Sequence, residues 1–549
     1  MDTQSPPPRL DPITVEVVRN KLDGIANEME TTLLRSSFSP IVKEGMDASA
    51  SLFDISGETL AQALAIPIHL ATLIPIVQTI LRAFPPDTMK PGDIYTMNDP
   101  YLGGTHLPDI AIVMPIFHQG RPVALAATLT HHQDVGGLSP GSIPTNATEI
   151  FQEGVRIPPL KFRDGDTFNA TLIAMLRLNT RIPDTLLGDL HAQVAACTVG
   201  ALRVADLAGI YGDDLPRIFE DLLDRSEQLT RAALRAIPNG TYRYVDYMDN
   251  DGIDLDRRMR IEVAVTIEDG DMHCDFTGTS PQVRGPFNCV PSGSLAAACF
   301  AIRVLTDPSI PTNGGCFRPI RLTIPEGSML NPREPAAVCS RTSTIKRVAT
   351  SIIGALRPLR PEAVSADAGS IALLLSFGGR HADGAPYVMG EIVVAGSGAC
   401  FDMDGTDVVD TDASNSTNMP IEAIETEFPL RMRRYGLRRD SGGAGTFRGG
   451  LGCVREYEVL AGPITLTHRG ERFYCPAQGY AGGGAGAPSR TRIIRAGGES
   501  EDIPSKIVTT LNTGDRLLIE TAGGGGWGEP GARDPIQLER DKQDGKITV

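Results

Sequence analysis

IYTMNDPYLGGTHLPDIAIVMPIFHQGRPVALAATLTHHQDVGG, residues 94–137, holds three short apolar segments at 94–97, 110–117 and 123–129. Each is bounded by Gly, Pro or Asp and shows no helical period, which predicts buried strands. HQGRP at 118–122 reads as the turn between the last two, with His118 exposed. Two polar strings stand beside these strands, NDPYLGGTHLPD at 98–109 and THHQDVGG at 130–137. A strand that ends in such a string can hold a reactive side chain rigidly at the mouth of a cleft.

Working outward, residues 12–36 predict a helix, with Ile13, Val17, Leu22, Ile25, Met29 and Leu33 at roughly helical spacing. Asp11-Pro12 supplies a cap and a first-turn proline. A strand follows at 50–54, a turn at 54–57, and a second helix at 67–84 ended by Pro85-Pro86. The stretch 135–148 has no period and reads as a loop. Residues 169–236 predict helices broken near Pro183, Gly212 and Pro216, and 240–280 alternate, as in RIEVAVTIED, like paired strands. A helix of small residues is expected at 294–306, and strands with Gly-rich turns from about 316 onward. The fold class expected is α+β and multi-lobed. It comprises a disordered lead (1–11), a mixed α/β region carrying candidate metal ligands (12–165) and a helical region (166–238). A β-rich region (239–531) and a flexible tail (532–549) complete it.

The net charge of −16 repels phosphate backbones and argues against a nucleic-acid partner. MDTQSPPPRLDP at the start has no apolar core, and no apolar run is read as long enough to span a membrane. A cytoplasmic protein is expected. Nine scattered cysteines without a CxxC pair suit reduced thiols. There is no GxxxxGK[ST] and no GxSxG. GGGGWG at 523–528 reads as a tight backbone turn.

Five of the nine histidines, His69, His106, His118, His131 and His132, precede residue 133. On a loop, the three-residue spacing of His106 and Asp109 lets an imidazole and a carboxylate converge on one ion, and Gly103-Gly104 lets the backbone approach. His131 follows the apolar run ALAATL. Successive strand residues point to opposite faces, so His131 and His132 cannot both ligate. Two imidazoles and a carboxylate, with one more carboxylate, suit Zn²⁺ or Mn²⁺. The competing reading is local: His106 and Asp109 as backbone caps, Asp99 in an Asx-type turn, and His69 as a satisfied core histidine.

Longer strings carry a resemblance. DPITVEVVRNKL (11–22), KEGMDASASLFD (43–54), NDPYLGGTHLPD, HHQDVGG, EIFQEGVRIPP (149–159), DFTGTSPQVRGPFN (275–288) and NGGCFRPI (313–320) occur in that order. RYGLRRDSGGAGTFRGGLGCVREYE (434–458) and GGGGWGEP (523–530) follow. Together they resemble, from about 11 to 532, the hydantoinase B family. That family also takes in the C-terminal half of 5-oxoprolinase, the caprolactamase beta chain, and components of acetone and acetophenone carboxylases.

The resemblance implies a divalent metal, Zn or Mn, held by Asp47, His106, Asp109 and His131. It makes His132, Asp134 and Glu153 candidates for proton transfer or for orienting the ligands, and relatives often carry an aromatic at the position of His132. It implies a heteromer with an A-type, actin/hexokinase-like ATPase subunit, where ATP would be used to phosphorylate a carbonyl oxygen. The implied reaction is hydrolysis of a lactam or hydantoin. The alternatives are a component of a ketone carboxylase and a non-catalytic scaffold.

Overall fold

The computed structural model describes residues 10–64, 66–69, 71–369 and 373–548; most of the expected disordered lead, 1–11, lies outside them. Helix α1 (Pro12–Ser36) starts on Asp11, whose carboxylate accepts from the amides of Ile13 and Thr14 and so satisfies donors the helix itself cannot. Its buried stripe runs through Val15, Val18, Leu22, Ile25, Met29 and Leu33. Ile13 and Val17, which the spacing assigns to that stripe, face solvent. After the short helix α2 (Pro40–Lys43) comes the first sheet: β1 (Ala48–Phe53), β2 (Thr59–Gln62), β3 (Ile94–Met97), β4 (Asp109–His118), β5 (Arg121–His131), β6 (Leu160–Asp164) and β7 (Thr167–Phe168). The order is β2-β1-β5-β4-β3-β6-β7, with every neighbouring pair antiparallel.

Both faces of this sheet are covered, so its strands read as continuous apolar runs rather than alternating ones. Ala50, Leu52, Ile110, Ile112 and Ala126 pack with α1 and with the long helix at Pro183–Tyr211. Phe53, Ala111, Val113, Leu125, Ala127 and Leu129 pack with α3 (Leu73–Ala83). The helix expected over 67–84 is divided: Pro67–His69 forms a single 3₁₀ turn, and Ala71 adopts a left-handed φ of 65°, which an α-helix cannot accommodate.

Helices α4 (Ala170–Asn179), α5 (Pro183–Tyr211) and α6 (Leu215–Arg235) break near Pro183, Gly212 and Pro216. They are not a separate lobe, because Leu190, Val194, Cys197 and Val204 of α5 share the core beneath β4 and β5. The helical run Pro183–Arg235 does have the length and apolar composition to cross a membrane, contrary to the expectation that no run qualifies. Within it Leu190, Val194, Cys197 and Val204 are turned to the sheet, while Leu202 and Ile210 are exposed.

The middle lobe is β8 (Gly240–Met248), β9 (Met259–Glu268), β10 (Asp271–Asp275) and β11 (Ile320–Thr323), with β10 and β11 parallel. It is covered by α7 (Pro291–Leu305) and α8 (Arg341–Leu356). Helix α8 falls where strands are expected. It is buried on nearly all sides, with Lys346 and Arg347 inside, so no amphipathic period marks it.

The last lobe carries β12 (Leu373–Arg380), β13 (Pro386–Val393), α9 (Ile421–Glu427), β14 (Leu430–Leu437), β15 (Cys453–Val459), β16 (Ile464–Arg469), β17 (Arg490–Ile494), β18 (Ser500–Ile503), β19 (Lys506–Leu511) and β20 (Arg516–Glu520). Two sheets, β13-β12-β16-β19 and β14-β15-β20-β17-β18, close on one core that includes Phe377, Met389, Tyr457, Leu466 and Leu517. GGGGWG is not a turn here. The amides of Gly523, Gly524, Gly525 and Gly526 donate to carbonyls in three different segments, at Gly484 and Ala487, at Gly450 and at Asp367. A Cβ on Gly524 would lie 1.8 Å from the Ser397 carbonyl oxygen, so backbone encloses this segment where a side chain would stand. The tail also departs from expectation. Helix α10 (Pro535–Gln543) is tied down by Arg533, which pairs with Asp404 at 2.8 Å and Asp541 at 2.6 Å. The nine cysteines are unpaired, and burial pushes the Cys316 thiol to about 11.

Candidate metal centre

Asp109 opens β4 and His131 closes β5, and the two are direct cross-strand partners. Asp47 immediately precedes β1, and its carbonyl accepts the His131 amide at 3.1 Å. The ends of three adjacent strands thus meet at one edge of the first sheet. Strand alternation turns Asp109 and His131 to the α3 face, the side of Ala111 and Leu129. His106 arrives from the preceding loop, which Asn98 holds: its amide donates to the carbonyls of Leu107 and Val155 at 2.7 and 2.9 Å. Gly104 is required there, since a Cβ would lie 2.6 Å from the Asn98 carbonyl oxygen.

His106 Nε2 lies 2.9 Å from Asp109 Oδ1 and 3.1 Å from His131 Nδ1, and His131 Nδ1 lies 3.3 Å from Asp109 Oδ1. Among the described residues this is the one group of three or more histidine, cysteine or acidic side chains whose ligand atoms gather so closely, all within 4.8 Å. His106 Nδ1 lies 2.8 Å from the Cys339 carbonyl, which can only accept, so Nδ1 carries the proton and Nε2 presents a lone pair. Burial, with Arg341 close by, pushes His106 down to about 3 and keeps the ring neutral. Burial opposes the charge on Asp109, but the Arg341 guanidinium and the contact from His131 outweigh it and hold the carboxyl well below its ordinary range. Arg341 and the Thr105 hydroxyl both donate to Asp109 Oδ2, which leaves Oδ1 for the cluster. A lone pair and a carboxylate oxygen therefore face each other at 2.9 Å, with the His131 Nδ1 proton as the one donor within the triad. A divalent cation fits that arrangement, and a mixed N/O donor set suits Zn²⁺ or Mn²⁺.

Asp47 does not join the three. Its carboxylate lies 3.6 Å from His69 Nε2, and both residues line a narrow cavity with His131, Arg341 and Arg469. His69, read from sequence as a core histidine, has an unpartnered Nδ1; burial lowers its pKa.

The three residues expected to transfer protons or to orient the ligands lie outside the triad. His132 turns to the opposite face, its Nε2 3.0 Å from Gln193 Oε1 on α5, as alternation requires. Asp134 accepts from the amides of Gly136, Gly141 and Arg181 at 3.0–3.1 Å and from the Arg181 guanidinium at 2.8 Å. Glu153 accepts from the amides of Val338 and Cys339 at 2.7 and 2.8 Å, and burial raises its carboxyl to about 8. None is hydrogen-bonded to the triad. Asp134 fastens the loop after β5, and Glu153 holds the segment whose Cys339 carbonyl orients His106. Arg341 and Arg469 lie outside every motif picked out in the sequence, because each is a single charged residue in a stretch without spacing.

Fold and site define a multi-lobed α+β chain with a candidate divalent-cation centre at a sheet edge. The model of the family described as Hydantoinase B/oxoprolinase matches residues 11–530, and the chain belongs to that family. It is 32% identical over 564 residues to the B component of a putative D-/L-hydantoinase from Pseudomonas sp. (strain NS671), covering 98% of this chain and 94% of that protein. It is 31% identical to the beta chain of the caprolactamase of Pseudomonas jessenii, with the same coverage. Identity to 5-oxoprolinase 1 of Arabidopsis thaliana is also 31%, over 94% of this chain but 42% of that longer protein. The crystal structure of the ATP-dependent caprolactamase from Pseudomonas jessenii superposes with a TM-score of 0.91 at 29% identity, covering 99% of this chain and 95% of that one. A nucleotide-free acetone carboxylase structure, at 21% identity and a TM-score of 0.87 over 98% of this chain and 78% of that one, shares the fold.

Proposed function

We propose that this chain is the B-type component of a cytoplasmic, heteromeric, ATP-dependent cyclic-amide hydrolase. Its partner would be an A-type ATPase subunit that phosphorylates the carbonyl oxygen of a lactam or hydantoin. The observation that carries this reading is the meeting of His106 Nε2, Asp109 Oδ1 and His131 Nδ1 at 2.9–3.3 Å. The relatives' names, which make each one component of a larger enzyme, support a heteromer. Nine unpaired thiols suit a reducing compartment.

An unstrained amide has a poor leaving group and a weak electrophile; phosphorylation of its oxygen yields an imidate-like phosphate that water attacks more readily. His106, Asp109 and His131 would hold the Zn or Mn ion, and Asp47 lines the same cavity as His131. Such an ion, when bound, acidifies water towards a pKa of about 7 and stabilises negative charge on oxygen. Thr105 and Arg341 fix the Asp109 carboxylate, and the Cys339 carbonyl fixes the His106 tautomer. Asp47 and His69 are placed to orient water. His132, Asp134 and Glu153 act through the loops and helix they hold.

Metal analysis of the purified chain should give close to one divalent ion per chain, and His106→Ala should lose it. Co-expression with the A-type chain should give ATP hydrolysis stimulated by lactams or hydantoins. Full metal retention in His106→Ala would refute the ligand set. Stimulation only by ketones with bicarbonate would replace hydrolysis by carboxylation.

A further inference from the structure

Arg469 ends β16, held in register between Leu374 and Lys506 on the neighbouring strands. It is 1% exposed. A buried guanidinium normally faces a carboxylate, because an isolated charge is strongly disfavoured away from water. Other buried arginines follow that rule: Arg341 pairs with Asp109, Arg347 with Asp246, and Arg455 with Glu391. Among the described residues, Arg469 has no carboxylate within ion-pair distance. Its one hydrogen bond there is a 3.3 Å contact from Nη1 to the Cys339 carbonyl, and its Nε has no partner. It lines the cavity that His131, Asp47 and Arg341 share.

The charges around the cavity point the same way. The wall carries Asp47, Glu391, Arg341 and Arg469; Glu391 is already paired with Arg455 and Arg341 with Asp109. A divalent ion on the triad then adds two positive charges in a narrow space, which calls for an anion. Ile66, Ile68, Ile143 and Ile392 give the wall an apolar portion that suits a small hydrocarbon ring.

We propose that Arg469 anchors an oxyanion carried by the substrate, a phosphoryl or a carboxylate group, with Arg341 alongside and the apolar wall holding the ring. This rests on the reading of the triad as a cation site. The guanidinium fork matches two oxygens of either group, whereas an ammonium supplies only a point charge.

The full-length chain, loaded with Zn²⁺, is titrated calorimetrically with inorganic phosphate and separately with acetate, as wild type, Arg469→Gln and Arg469→Lys. Metal content and circular dichroism are measured on each sample, and the phosphate titration is repeated after chelation. Wild type should bind phosphate, acetate or both. Arg469→Gln should weaken that binding at least tenfold with metal content unchanged, and Arg469→Lys should fall between. The stronger of the two anions assigns the substrate group as phosphoryl or carboxylate. Equal affinity in wild type and both variants, or no binding of either anion by the loaded wild type, overturns the anchor. A chain that takes up no metal yet binds phosphate through Arg469 would sink the cation reading alone.

Discussion

Glu153→Gln tests how the site is supported from behind. Glu153 is buried, and desolvation raises its carboxyl from 4.5 to about 8 despite two backbone amides that favour its charge. The raised value means that the acid form is favoured in the folded chain. The stability it contributes is fully present below about 4.5 and is lost as pH rises through about 8. At ~1.4 kcal/mol per pH unit the whole effect is roughly 5 kcal/mol. Glutamine still offers Oε1 to the amides of Val338 and Cys339 but does not titrate. Glu153 Oε2 has no partner, so the amide NH₂ replaces an equally unpaired acid O–H. The variant should therefore gain on wild type by ~1.4 kcal/mol for each pH unit between 5 and 8. Urea denaturation at pH 6, 7 and 8 reads that slope, and other titrating groups cancel in the comparison. A wild-type-minus-variant infrared difference at pH 7 should also show one protonated carboxylic acid, about 90% populated. A stability gap independent of pH, together with no acid carbonyl band, would refute the argument.

Asp134→Ala removes the shared acceptor of three amides and the Arg181 guanidinium. It should destabilise the chain by about 1–3 kcal/mol, chiefly from the amides left without an acceptor, since Arg181 is part-exposed and keeps water; a change below about 0.5 kcal/mol by urea denaturation would count against its clamping role. Gly525→Ala would set a Cβ 2.1 Å from the Gln478 carbonyl oxygen and should give insoluble or unfolded protein. Gly497→Ala, with nothing within 4 Å, should leave the melting temperature unchanged, and equal behaviour of the two would contradict the enclosed-backbone account.

What can be read from sequence follows from where order is local. The three strands of residues 94–131 are legible because apolar runs are closed by Gly, Pro and Asp. The opposite facing of His131 and His132 needs only strand alternation, and the pairing of His106 with Asp109 needs only a three-residue spacing. Helix α8 is hidden because Ser, Thr, Lys and Arg are buried around its whole circumference, which erases the polar face that marks a surface helix. The tail looks unstructured for the opposite reason. Its polar residues are partners in ion pairs with distant segments, such as Arg533 with Asp404, and composition cannot show that. His69 passes for a core residue because an apolar neighbourhood is what a core histidine and a cavity histidine share.

The parts of the site that escape sequence reading come from the other two lobes. The triad belongs to one sheet edge, but Arg341 and the Cys339 carbonyl belong to the start of α8, and Arg469 to the end of β16. Each constrains a different property: the His106 tautomer, the Asp109 carboxylate, and the charge of the cavity. Glu153 extends the first lobe's reach by gripping the loop that carries Cys339. A cation site whose donor atoms lie in residues 106–131 thus becomes correctly protonated only when residues more than 200 positions away are folded against it. That dependence explains why the two short strings that carry the triad show which side chains gather but not how they are protonated or what charge they face.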